Sequence, residues 1–457
     1  MAWCVSPAFL LLTALGVHAR NNGVGKLPVM GYDTYNAFNC DYDGRVATAQ
    51  AKVMNETGLV ALGYNTFILD DCYTLINRSA SGELQQNLTR FPGGMRKWTE
   101  SINQYGVSGS AYSSNGYMTC AGYPGAYGHE EQDLETWRSW GWNHMVKYDN
   151  CYIPYDNITM DNEYGRYKRM AEAIDNLAAR HREKPFIYSL CQWGWENPYN
   201  WAPRISQAWR IDGDIKPFWS SIKTVINLQV ASYLSTGFYQ HGDMDMLEVG
   251  NSGQGSPVGD LTIAEQRSHF TAWALLKSHL LIGTDLRNAT NDTIAILSNK
   301  ELIDINQDPN EGAPLAPFRI GIQADYSTIS YNETNPPPYW GGNSSYGAVF
   351  MIINYENTEQ ELGFNLTENW AIRAGRQYQV RDMWAHKNCG IAVRNWTLTV
   401  GPHDVAALLL TDAGPEPSQE LADGEIAPPC AYPFLVHQCT APNGSFIYNG
   451  SKLEYGF

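Results

Sequence analysis

Lys147-Tyr148-Asp149-Asn150-Cys151 reads as the end of a buried strand, one that delivers a carboxylate beside a cation. Working outward from it, the same grammar recurs. Short apolar runs stand at Pro28–Tyr35, Tyr64–Cys72, Val107–Ser114, Asn143–Asp149, Lys184–Cys191, Ser206–Ile215, Gly237–Met246 and Ser278–Leu286. Amphipathic stretches such as Tyr164–Arg182 and Ile263–Leu276 lie between them. Eight strand–helix units over roughly 285 residues predict an α/β fold, a closed (β/α)8 TIM barrel. After Pro314 helical periodicity fades. Runs such as Tyr346–Tyr355, Gln377–Met383 and Asn395–Val400 predict a small antiparallel β-sandwich domain. The expected domains are a leader over 1–19, the barrel over 20–314, the β domain over 315–412 and an extension over 413–457.

The polar residues gather where the strand candidates end: Tyr35, Asp70, Asp71, Tyr112, Asp149, Gln192, Asp214 and Asp245. A barrel of this kind builds its site at the C-terminal ends of its strands. One acidic strand end could be a helix cap, but five carboxylates at four such ends point to a shared site. Trp209-Arg210-Ile211-Asp212-Gly213-Asp214 repeats the pattern of carboxylate beside cation. Two carboxylates converging from different strands are the working parts of glycoside hydrolysis, one as nucleophile and one as proton donor. Lys147 favours the ionised form of Asp149, as a nucleophile requires. The proton donor should sit in a drier or more negative setting. Asp212 and Asp214 would share a face of an extended strand, so periodicity leaves that choice open. Asp70-Asp71 and Asp243-Met244-Asp245 could bind sugar hydroxyls or calcium, though no oxygen-rich calcium loop is evident. Trp384-Ala385-His386-Lys387 reads as a packed aromatic corner.

The chain has 457 residues, 44 % of them hydrophobic, with 15 Trp and 28 Tyr. That composition supports a large core, and flat aromatic faces also suit sugar rings. A net charge of −16 argues against a nucleic-acid partner, which needs a basic face. Composition fixes no oligomeric state and implies no cofactor or metal. The apolar run Ala8–Val17 before Val17-His18-Ala19 predicts a signal peptide and a secreted, extracellular protein. No other run approaches the ~20 apolar residues of a membrane span. Eight cysteines follow the leader, with no C-x-x-C pair to suggest structural zinc, and Cys430 and Cys439 predict a C-terminal clip. Asn-x-Ser/Thr acceptors stand at Asn55, Asn77, Asn87, Asn157, Asn288, Asn291, Asn332, Asn343, Asn365, Asn395, Asn443 and Asn449.

Seven motifs occur in order: Met30-Gly31-Tyr32, Leu69-Asp70-Asp71-Cys72, Thr119-Cys120-Ala121-Gly122-Tyr123-Pro124-Gly125, Lys147-Tyr148-Asp149-Asn150-Cys151, Cys191-Gln192-Trp193-Gly194, Trp209-Arg210 with Gly213-Asp214-Ile215, and Asn306-Gln307-Asp308-Pro309. Together they resemble the α-galactosidases (melibiases) of glycoside hydrolase family 27, the fungal secreted type in particular, over roughly residues 27–412. The resemblance implies retaining release of terminal α-D-galactose from melibiose, raffinose-type oligosaccharides or galactomannan. It makes Asp149 the nucleophile and Asp214 the acid/base, with carboxylates roughly 5–5.5 Å apart. It also implies sugar contacts from Tyr35, Asp70, Asp71, Tyr112, Lys147, Gln192, Trp193, Trp195, Arg210, Asp245 and Met246, and disulfides Cys40–Cys72 and Cys120–Cys151. Cys191 falls at a pocket position often unpaired in similar enzymes, and Cys389 is a second candidate free thiol.

The chain departs from the family's usual pattern at Tyr32 and Tyr35, where Trp is common, and at Gln192, where Glu is common. Bulky Gln192 and Trp195 and the short Asp71 favour galactose over the sugars of the family's α-N-acetylgalactosaminidases and β-L-arabinopyranosidases, the alternative activities. A non-catalytic galactose-binding protein would need no nucleophile.

Overall fold

In the computed structural model, the described residues are 19–155, 162–252, 260–318 and 336–417. Eight short strands lie side by side: β1 (Met30–Asp33), β2 (Thr66–Ile68), β3 (Ser108–Ser114), β4 (Met145–Asp149), β5 (Ile187–Cys191), β6 (Ala208–Arg210), β7 (His241–Asp243) and β8 (Leu280–Ile282). They are parallel, in the order β7-β6-β5-β4-β3-β2-β1-β8. The sheet closes through Leu247, just past β7, which forms a parallel bridge to Ile282. All eight expected strands are present, each shorter than its apolar run.

Side-chain alternation sets up the site. On β4, Val146 and Tyr148 pack outward into the large core shared with the helices, while Met145 faces an inner cluster with Ile68, Tyr112, Ile187 and Met246. Lys147 and Asp149 continue that inward face toward the C-terminal end of the strand.

The connecting helices start on side-chain caps. Asp43 accepts from the backbone of Arg45 and Val46 before Gly44–Glu56, and Asn162 from Gly165 before Glu163–His181. Thr262 and Glu265 form a capping box before Ile263–Leu275.

The second domain contains β9 (Ala316–Phe318), β10 (Tyr339–Ser344), β11 (Gly347–Ile353), β12 (Gln360–Asn365), β13 (Arg376–Asp382), β14 (Lys387–Val393), β15 (Asn395–Val400) and β16 (Val405–Pro415). The order is β12-β15-β14-β13-β16-β11-β10-β9, antiparallel throughout. Phe364 on the edge strand β12 meets Phe318 and Phe350 from the opposite end, so the sheet folds over its own core as a sandwich. The two domains are pinned by Arg267–Asp404, by His403 to Glu265 at 2.7 Å and by Arg381 to Glu301 at 2.7 Å. Trp384 packs on Phe270 and donates to Thr271, as the aromatic corner predicted.

Candidate active site

Burial decides the electrostatics at the C-terminal ends of the strands. Asp33, Asp70, Tyr112, Lys147, Asp149, Cys191 and Arg210 are each less than a tenth exposed. All of these but Asp33 border one cavity of about 360 Å3, counting its open mouth, together with Tyr35, Asn36, Cys120, Trp193, Asp214 and Met246.

The Lys147 ammonium is shared by two carboxylates, Asp70 at 2.7 Å and Asp33 at 3.0 Å. Asp33 also accepts from the backbone N–H of Tyr35, tying that aromatic side chain's position to the same cluster. Burial, then the neighbouring Asp70 charge, pushes the Asp33 carboxyl up to about 8 against the pull of Lys147.

Asp149 ends β4 with its carboxylate oriented by three donors. Oδ2 accepts from the Tyr112 hydroxyl at 2.7 Å, and Oδ1 from the Asn150 backbone N–H at 2.8 Å and the Trp193 indole at 3.1 Å. Cys120 Sγ lies 3.2 Å from Oδ2, but it is bonded to Cys151 and has no proton to give. Burial raises the Asp149 carboxyl, opposed by the Tyr112 hydrogen bond and by Lys147.

Asp214 stands four residues past the end of β6, on the turn that follows, with its side chain 55 % exposed. Arg210 holds this turn: its Nη2 donates to the carbonyls of Asp212 and Gly213 and lies 3.4 Å from Asp214 Oδ1. From behind, Asp245 pairs with Arg210 at 2.9 Å and accepts the N–H of Ile215 at 2.9 Å. The extended strand expected through residues 210–215 is therefore a turn, because Arg210 satisfies its carbonyls in place of a neighbouring strand. Asp212 turns back onto the N–H of Gly213 and does not line the cavity. The expectation that Asp214 is held protonated does not describe the open site: burial raises its carboxyl, but Arg210, Lys147 and Lys216 outweigh burial and leave it below the usual range.

Several other positions differ from expectation. Gln192 is fully buried and points away from the cavity, donating to Glu163 at 3.1 Å. Trp195 is 68 % exposed and outside the cavity wall. The cause is local. β5 ends at Cys191, whose side chain lines the cavity, so strand alternation itself turns Gln192 to the other side, while left-handed residues at Trp193, Gly194, Glu196 and Asn197 redirect the chain beyond and leave Trp195 outside. Asp71 lies behind the wall and accepts from Thr119 Oγ1 at 2.6 Å and from the backbone of Cys72 and Ala121, each at 2.8 Å, so it fixes the loop that carries Cys120. Asp245 is likewise a support rather than a lining residue. Asp33, Asn36 and Cys120 are the site members not assigned to the site in the sequence reading, while Cys191 lines the cavity at the pocket position that the resemblance implied. Asp33 carried a legible signal, an acid ending an apolar run.

The disulfides Cys40–Cys72 and Cys120–Cys151 are formed, and Cys191 and Cys389 are free. Cys120, Asp149 and Cys151 come together as possible metal ligands, but the two sulfurs are joined in the disulfide and offer no thiolate, so they do not fit a metal. Among the described acceptor asparagines, Asn55, Asn77, Asn288, Asn291 and Asn395 are exposed, and Asn87, Asn343 and Asn365 are half-buried. Asn157, Asn332, Asn443, Asn449, Cys430, Cys439 and the leader up to residue 18 lie outside the described residues. No helix among the described residues is long and apolar enough to cross a membrane.

A closed parallel barrel with carboxylates from several strands facing one small cavity, followed by a β-sandwich, defines a sugar-cleaving hydrolase of the barrel type. The model for α-galactosidase A matches residues 27–308, and that for the α-galactosidase C-terminal β-sandwich domain matches 334–410. The chain belongs to the α-galactosidases of glycoside hydrolase family 27. A probable α-galactosidase B of Penicillium simplicissimum is 32 % identical over 443 residues, 89 % of this chain and 98 % of that protein. The structure of α-galactosidase I from Mortierella vinacea superposes with a TM-score of 0.74 at 32 % identity, over 87 % of this chain and all of that one. The Saccharomyces cerevisiae α-galactosidase with raffinose superposes with a TM-score of 0.74 at 26 % identity, over 86 % and 99 % of the two chains.

Proposed function

We propose that this α-galactosidase works by double displacement with retention, Asp149 attacking the anomeric carbon and Asp214 first protonating the leaving oxygen, then activating water. The observation that carries this reading is the contrast between the two carboxylates. Asp149 is buried at a strand end and held by Tyr112, Trp193 and the Asn150 N–H. Asp214 stands at the open side of the same cavity. A fixed, desolvated carboxylate suits attack on carbon, and a half-exposed one can exchange a proton with water. When a sugar fills the cavity, water leaves Asp214 and its carboxyl rises toward the range a proton donor needs.

In this reading Lys147, Asp70 and Arg210 bind sugar hydroxyls, Tyr35, Trp193 and Met246 wall the ring, and Asp71, Asp245 and Gln192 hold those groups from behind. Selectivity for galactose then rests on the inner wall of Cys191, Trp193 and Met246 in place of Gln192 and Trp195. The substrates are oligosaccharides or polysaccharides ending in α-galactose, the raffinose complex of the yeast relative being one example of the class. The leader ahead of the barrel, together with exposed Asn-x-Ser/Thr sites, supports a secreted glycoprotein with the domain boundaries given above.

The test is hydrolysis of aryl α-D-galactopyranoside, α-N-acetylgalactosaminide and β-L-arabinopyranoside, with the anomer released followed by proton NMR. Dominant cleavage of the first with α-galactose as initial product is expected. Preference for another sugar, or β-galactose first, would overturn the pocket or the mechanism respectively.

A further inference from the structure

Three large aromatic side chains are exposed on the loops that contribute to the cavity. Tyr117 is 49 % exposed, Tyr152 57 % and Trp195 68 %. They belong to the loops that follow three neighbouring strands, β3, β4 and β5. Each loop also supplies a residue at the reacting end of the site. Cys120, three residues past Tyr117, lines the cavity and is bonded to Cys151, which precedes Tyr152. Trp193, two residues before Trp195, donates to Asp149.

The first two loops are locked together. The N–H of Tyr117 donates to the carbonyl of Tyr152 at 3.0 Å. Gly116 sits so close that a Cβ there would meet the Cys151 carbonyl at 2.0 Å. The Tyr117 ring lies edge-on to Tyr127 at 5.5 Å, and Arg169 covers Tyr127 at 4.9 Å. Tyr152 adopts a left-handed backbone conformation, φ +51, which disfavours a bulky side chain, yet burial gives its ring nothing in return. Core packing accounts for neither the Tyr152 nor the Trp195 ring.

A pyranose is amphipathic, with hydroxyls at its rim and apolar C–H faces that lie flat on aromatic planes. The cavity is small and walled by carboxylates and cations. Whatever is attached to that ring's anomeric oxygen must leave through the mouth, past the loops that supply Cys120 and Trp193 to the wall and carry these rings.

We propose that Tyr117, Tyr152 and Trp195 form a leaving-group platform that takes a saccharide chain of more than one ring. The proposal rests on the α-galactosidase reading of the cavity and extends it to the substrate's other half. The surface is continuous with the catalytic cavity through Cys120–Cys151 and Trp193, which names its occupant as the substrate's own chain.

The test compares kcat/KM for three substrates: α-galactosyl fluoride, whose one-atom leaving group cannot reach the rim, melibiose, and a mannopentaose bearing one α-galactosyl branch. Trp195→Ala and Tyr152→Asn remove a ring each, and asparagine tolerates the left-handed backbone at 152. Each is expected to lower the ratio of branched oligosaccharide to fluoride roughly three- to tenfold and the melibiose ratio by less, with Trp195→Tyr restoring most of the loss. Unchanged ratios in both variants, or equal losses for melibiose and the longer substrate, would overturn the platform. Failure of the wild type to cleave the fluoride would instead strike the Asp149–Asp214 assignment beneath it.

Discussion

Removing one hydroxyl, in Tyr112→Phe, probes how the nucleophile is held. The phenol is 2 % exposed and donates to Asp149 Oδ2 at 2.7 Å. Phenylalanine keeps the ring in the inner cluster with Met145 and Ile187, so the fold should persist. Oδ1 retains Asn150 N–H and Trp193, while beside Oδ2 there remains only a disulfide sulfur with no proton. A buried hydrogen bond to a charged acceptor contributes about 1.5–3 kcal/mol. Its loss falls on the ionised form alone, so Asp149 takes up a proton more readily and the acid limb of kcat/KM moves to higher pH. The expected result is a fall of roughly ten- to a hundredfold on the acid side, with a much smaller loss on the alkaline side, where the carboxylate is ionised in either enzyme. The assay is kcat/KM for an aryl α-galactoside across pH 3–8, with circular dichroism to confirm folding. An acid limb identical to wild type would refute the claim that Tyr112 holds the nucleophile's charge. Uniform loss at every pH would mean the phenol takes part in the chemistry itself.

Asp149→Asn should abolish turnover with the fold intact, and Asp214→Asn should harm poor leaving groups far more than activated aryl ones; kinetics on melibiose and a nitrophenyl galactoside check both, and equal losses on the two substrates would remove Asp214 as proton donor. Asp71→Asn should lower stability by about 1–3 kcal/mol in denaturant unfolding, because an amide cannot accept from Thr119, Cys72 and Ala121 together; a midpoint equal to wild type would contradict its supporting role. His279, beside His241 at the base of the barrel, is pushed down to about 3 by burial. Its folded value lies below its unfolded one, so between pH 6.5 and 3 the unfolded chain binds a proton that the fold refuses, and stability falls as pH falls. His279→Leu should therefore gain on wild type by up to ~1.4 kcal/mol per pH unit as the medium is acidified, and parallel stability curves would refute this.

The barrel was legible because each strand end changes from apolar to polar abruptly, and the seven ordered motifs fixed the family. What stayed hidden depends on distance in the chain. Nothing local to Asp33 announces that it shares Lys147, 114 residues away, with Asp70. Nor does anything local show Arg210 spending its donors on the carbonyls of its own turn, so residues 210–215 read as strand. Gln192 and Trp195 were expected in the pocket from the family resemblance alone, and the local backbone decides otherwise: alternation past Cys191 turns Gln192 away, and the left-handed residues that follow leave Trp195 outside. The open-site charge of Asp214 reflects Arg210, Lys147 and Lys216 together, a balance that a three-dimensional arrangement sets and a motif does not.

The central claim is that Asp149 forms the covalent link to galactose. The most direct measurement is to trap the intermediate with 5-fluoro-α-D-galactosyl fluoride, digest the protein and map the labelled peptide by mass spectrometry. A single fluorogalactosyl adduct on Asp149 is the result expected. An adduct on another carboxylate, or turnover through an inverted product with no adduct, would contradict the account.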